Sequence, residues 1–132
     1  MLACGDTYLA GDIDYEEFHL WIILTPTDLN EVVVVNVTTR HKRSDTTVII
    51  NPGEHPFIKQ ESVIAYRFAK VKTVAEIEKA ISEGTAIRRE PISASLLERI
   101  RGGLMQSDHA ENGVRFLFRE FMLKTSGNPF QN

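Results

Sequence analysis

The segment Glu31–Thr39, read as Glu-Val-Val-Val-Val-Asn-Val-Thr-Thr, constrains this chain more than any other. Residues branched at Cβ lose rotamer freedom in a helix and pack well on a pleated surface. A run this apolar, without polar alternation, predicts a central strand buried on both faces. Such a strand needs strands beside it and a layer of structure over each face. The rest of the first half supplies candidates. Thr7–Ala10 reads as a short strand after a Gly5-Asp6 turn, and Phe18–Thr25 as a strand rich in aromatic and β-branched residues. Thr46–Ile50 and an extended segment from Ser62 to about Val71 complete the set. Between them lie an acidic loop at Gly11–Glu17, a Pro26 turn, a basic loop at 40–45 and the Pro52-Gly53 turn. Five short strands separated by turns predict a small, mostly antiparallel β-barrel across 5–71, closed so that no edge is exposed.

The pattern turns helical at Thr73. Thr73-Val74-Ala75-Glu76 is a capping box, Val74, Ile77 and Ile81 share one face, and Gly84 is a stop. Ser95-Leu96-Leu97-Glu98 repeats the capping signature ahead of a stripe through Leu96, Leu97, Ile100 and Leu104, which Gly102-Gly103 weakens or ends. Asp108 is positioned to cap a third helix carrying Val114, Leu117, Phe118 and Phe121. The expectation is therefore an α+β fold in one domain over 1–132. Its β-barrel part covers 5–71, two or three helices occupy 73–123, and the tail 125–132 frays.

A chain of 132 residues with 42% apolar and 25% charged residues can bury a sufficient core without a structural metal or disulfide. Cys4 is the single cysteine, which fits a reducing compartment. The N-terminus has no basic region followed by an apolar core, and no stretch approaches a membrane span, so a cytoplasmic location is expected. The net charge of −3 conceals an asymmetry. Residues 1–39 carry no Lys or Arg but seven of the 18 acids, which leaves 11 acids against all 15 basic residues in the remainder. A local phosphate-binding patch is compatible with that distribution.

Gly-rich phosphate loops, paired-Cys motifs and the helical zinc-protease motif are absent, and histidines 19, 41, 55 and 109 have no metal-ligand spacing, so no cofactor is expected. Strand phase is more informative. His19, Trp21 and Ile23 share one face of the second strand, and Asn36 and Thr38 stand at the polar end of the valine strand. They suit chemistry held by a rigid element, and they equally suit turn hydrogen bonds. Arg40-His41-Lys42-Arg43 is a phosphate-binding candidate or a solvated loop. His55 lies between the Pro-Gly turn and Pro56, with Lys59 and Tyr66 beyond. A His, a Lys and a Tyr can supply proton transfer and anion stabilisation without a metal, although a His beside such a turn is commonly structural.

The order Gly5-Asp6-Thr7-Tyr8-Leu9-Ala10, His19-Leu20-Trp21-Ile22-Ile23-Leu24, Val33-Val34-Val35-Asn36-Val37-Thr38-Thr39 resembles the PemK/MazF family of toxins over about residues 5–70. The resemblance implies an SH3-like barrel and a metal-independent endoribonuclease acting on single-stranded RNA through attack of the ribose 2′-hydroxyl on the adjacent phosphate. It also implies a catalytic Thr or Ser on the third strand, a position matched by Thr38. His19 stands where the family's second-strand Arg is expected, and Leu20 where its Pro is. If the chain is such a nuclease, the expectation from its own residues is His55 in proton transfer and His19 in place of the Arg, beside the Thr38 that matches the motif. Arg40, Lys42, Arg43, Lys59 and Tyr66 would hold substrate. RNA, a cognate antitoxin or other protein, and a homodimer are the partners the resemblance allows, with no membrane partner. The alternative is a non-catalytic SH3-like barrel that binds a protein or nucleic acid.

Overall fold

Three long antiparallel strands organise the computed structural model, which describes residues 1–12 and 15–125. They are β1 (Thr7–Asp12), β2 (Tyr15–Ile23) and β3 (Glu31–Thr39). The expected acidic loop shrinks accordingly, and its residues 13 and 14 lie outside the described set. Beyond β3 come β4 (Ile49–Ile50), β5 (Ser62–Ile64), β6 (Lys70–Thr73), α1 (Val74–Glu83), β7 (Ala86–Arg89), α2 (Ala94–Gln106) and α3 (Asn112–Thr125). The mostly antiparallel α+β expectation holds: a seven-stranded sheet and three helices.

The sheet does not close into a barrel. Its strand order runs β4-β5-β3-β2-β1-β7, with β6 pairing β3 off that path. Its end strands β4 and β7 do not pair with each other, and β3 serves two partners in succession on one edge. Glu31–Val34 pair with Thr73–Lys70 of β6, and Val37–Thr39 pair with Ile64–Ser62 of β5. Between those partners the chain makes a 3₁₀ turn at Tyr66–Phe68, so the segment expected to be one strand is two. β7 was not anticipated either; it extends the sheet beyond β1, where Tyr8 faces Arg88 and Leu9 faces Ile87.

The valine strand is buried on both faces as its sequence requires: Val32, Val33, Val34 and Val35 are each fully inaccessible. Val33, Val35 and Val37 join Leu20, Ile22 and Tyr66 under Leu96, Ile100, Leu104 and Phe118 of α2 and α3. Val32 and Val34 join Tyr8 and Ile23 under Ile77 of α1. Helix α1 has both halves of its capping box, with Thr73 Oγ1 accepting from the Glu76 amide at 3.0 Å, and it ends at Gly84 in the left-handed conformation.

Helix α2 departs from expectation twice. It is capped by Ser93, whose Oγ accepts from the Leu96 amide at 3.1 Å, and it continues through Gly102-Gly103 to Gln106. Gly103 survives inside the helix because a Cβ there would collide with the Tyr66 hydroxyl and a Val48 methyl. Close packing outweighs the roughly 1 kcal/mol that a helical glycine costs. Helix α3 starts at Asn112 rather than beside Asp108. The tail expected to fray lies, from residue 126 onward, outside the described residues. Among those residues, no helix is long and apolar enough to cross a membrane.

Candidate active-site groove

A groove of about 570 Å³ opens where β2 and β3 diverge. Their pairing ends at Leu20↔Val37, so the next residues on each strand, His19 and Thr38, stand at the point of separation. Phe18, His19, Thr38 and Thr39 form the strand wall. Phe57, Lys59 and Gln60 form the opposing loop wall, and His41 also lines the space. Among the described residues its lining contains no Asp or Glu.

His19 Nδ1 lies 3.3 Å from the Val37 carbonyl oxygen. In the tautomer protonated at Nδ1 it donates to that carbonyl. Thr38 is half-buried, and Lys59 and His41 are exposed. The arrangement can accept a proton, return one, and place a hydroxyl and an ammonium beside an anion.

The loop wall is held at three points. Ile58 is buried in the main core. Glu54 pairs with Arg99 of α2, and its carboxylate also accepts from the Asn51 amide at 2.7 Å. The Asn51 amide first, and then the Arg99 guanidinium, hold that carboxyl below its usual range despite the opposing effect of burial. The third point is His55, only 3% exposed. Its Nδ1 accepts from the Phe57 amide at 3.0 Å, so its Nε2–H donates to the Glu90 carbonyl at 2.6 Å. The expected proton-transfer role of His55 is therefore not supported by its placement. Both ring nitrogens are engaged by backbone, and the ring is outside the groove lining.

Tyr66 is likewise not placed to hold substrate. It is fully buried, it donates to the Ile100 carbonyl at 2.7 Å, and burial pushes its phenol well above the ordinary value. Arg40 pairs with Glu61 at 2.6 Å beside the groove, and Lys42 and Arg43 are exposed on the loop outside the lining. Of the expected site residues, the groove thus gathers His19, Thr38 and Lys59. It adds His41, which the sequence offered as part of the basic run, and Phe18, Phe57 and Gln60, which sequence reasoning did not single out. The two phenylalanines carried no signal separating them from core residues.

The basic loop is anchored at its far end by Asp45. Burial pushes that carboxyl up, but hydrogen bonds from the Ser107 hydroxyl at 2.6 Å and from Thr47 outweigh it, and the net shift is downward. No group of three or more His, Cys, Asp or Glu able to hold a metal occurs among the described residues.

With this geometry in view, comparison with solved structures finds a chain from an endoribonuclease in complex with its cognate antitoxin from a mycobacterial species. The match has a TM-score of 0.54 and 16% identity, and it covers 80% of this chain and 93% of that one. The likeness is one of fold. No family model matches the chain, and no curated protein matches its sequence.

Proposed function

We propose that this chain is a PemK/MazF-like, toxin-type endoribonuclease that cleaves single-stranded RNA without a metal ion. The observation that carries the reading is the convergence of His19, Thr38, His41 and Lys59 on one groove whose described lining is free of acids. The fold shared with a chain of an endoribonuclease–antitoxin complex supports it. In this reading His19 takes the proton of a ribose 2′-hydroxyl, and the 2′-oxygen attacks the adjacent phosphorus. His41, as imidazolium, gives its proton to the departing 5′-oxygen. The products are a 2′,3′-cyclic phosphate and a 5′-hydroxyl. Lys59 and the Thr38 hydroxyl stabilise charge on the non-bridging oxygens, where fixed donors act most strongly. The same reading gives the chain a cognate protein partner that would restrain it.

The non-catalytic alternative draws on one observation, the lack of an Arg in the described groove lining. Cleavage of unstructured RNA in the presence of a chelator separates the two readings. His41→Ala should lose about 10²–10⁴-fold in rate. Thr38→Val should lower the rate with little change in binding of RNA lacking the 2′-hydroxyl, whereas Lys59→Ala should lower both the rate and the affinity. A wild type that binds such RNA but leaves cleavable RNA intact is a binding module.

A further inference from the structure

The two aromatic residues of the groove have no structural task that accounts for their exposure. Phe18 is 61% exposed and Phe57 39% exposed, although each has a buried apolar residue close by in sequence. Phe18 stands opposite Gly11 in the β1–β2 register, so no side chain on the facing β1 position covers its ring. Phe57 is turned outward by a loop that commits Ile58 to the core and fixes the Phe57 amide on His55 Nδ1. One ring comes from the strand wall and the other from the loop wall. Lys59 and the imidazoles of His19 and His41 line the same groove.

The geometry points to Phe18 and Phe57 as stacking platforms for two unpaired bases, one on each wall of the groove. This rests on the RNA-cleavage reading and deepens it by assigning the bases to particular side chains. Stacking on aromatic rings beside a cationic backbone track is how proteins hold single strands with little sequence preference. A duplex keeps its base faces occupied and offers neither ring a partner, so the pair selects single-stranded RNA. A volume of about 570 Å³ falls within the range of small-ligand sites.

The test is anisotropy of a labelled single-stranded RNA in which 2′-O-methyl groups block cleavage. Phe18→Ala and Phe57→Ala should each weaken binding by about 5- to 150-fold, the equivalent of one lost stack. Phe18→Trp and Phe57→Tyr should retain affinity, whereas Phe18→Leu and Phe57→Leu, which keep apolar bulk, should not. The dependence of affinity on salt should be unchanged in all six, because no phosphate contact is removed. An oligonucleotide abasic across its centre should bind wild type and Ala variants alike. Ala variants within twofold of wild type, equal losses with abasic RNA, or a wild type that does not bind single strands would each overturn the assignment. If binding follows these expectations but cleavable RNA stays intact, the stacking site stands and the nuclease reading falls. If cleavage proceeds and the Phe variants bind as wild type, the reverse holds.

Discussion

The loops 40–48 and 51–61 both border the groove, yet they contribute to it very differently. The first holds the densest positive run in the chain, Arg40-His41-Lys42-Arg43, and places only His41 in the lining. The second has a single Lys and supplies a whole wall. What separates them is anchorage. The 51–61 loop is tied through Ile58 to the core, through His55 to Glu90 and through Glu54 to Arg99. The 40–48 loop is held by Arg40–Glu61, by Asp45–Ser107 and by Val48 in the core at its end, leaving Lys42 and Arg43 between the first two anchors in solvent. A site is built where the backbone is fixed, and charge density along the sequence does not locate it.

The most severe way to break the anchored wall is Ile58→Ala. Removing this buried side chain should cost about 2–5 kcal/mol of stability, by chemical denaturation, whereas Phe57→Ala next to it should cost about 0.5 kcal/mol or less. Next comes His55→Ala, which leaves the Phe57 amide without its acceptor and the Glu90 carbonyl with the Thr7 hydroxyl alone as side-chain donor, and should cost about 1–3 kcal/mol. If His55 is a positioning residue, His55→Ala should raise KM as the wall loosens. His19→Ala should instead lower kcat at near-constant KM. A fall in kcat alone, at full stability, would return His55 to a proton-transfer role.

Acid should weaken both loops. The Asp45 and Glu54 carboxyls are lowered in the folded state from ordinary values of 3.8 and 4.5. The unfolded chain therefore binds more protons at low pH, and the stability they contribute is fully present above about pH 4.5. It is lost as pH falls through the lowered values. Denaturation midpoints at successive pH values should show this slope in wild type and a shallower one in Asp45→Asn. An unchanged slope would show that the Ser107 and Thr47 contacts do not hold the carboxylate. The smallest effect is expected from Arg40→Ala/Lys42→Ala/Arg43→Ala, measured as RNA affinity against salt. The salt slope should fall while the cleavage rate at saturation stays within a few fold. An unchanged slope would remove this loop from RNA binding.

The same contrast governs what the sequence could disclose. The valine strand, the capping box at Thr73–Glu76 and the stripes of the helices are local patterns, and they predicted their elements. The division of β3 between two partners is not local. It depends on a 3₁₀ turn at Tyr66–Phe68 inside a segment whose composition reads as one strand. Strand β7 is four residues long, and its place is set by pairing with β1 and by the Arg88–Asp6 ion pair, 82 positions apart in sequence. At the site, Thr38 lies one residue from the end of β3 as the sequence suggests, whereas His19, expected near the start of its strand, is the middle residue of β2. Nothing along the chain distinguished His19, which lines the groove, from His55, whose ring lies outside the lining with both nitrogens bonded to backbone.

The claim that the groove, rather than the residues around it, cleaves RNA is tested most directly by one assay. Single-stranded RNA is incubated in chelator with wild type and with His19→Ala, and the new ends are identified. The account predicts 2′,3′-cyclic phosphate and 5′-hydroxyl ends from wild type and about a 10²–10⁴-fold slower reaction from the variant at unchanged stability. Intact RNA with wild type, or equal rates from both proteins, would contradict it.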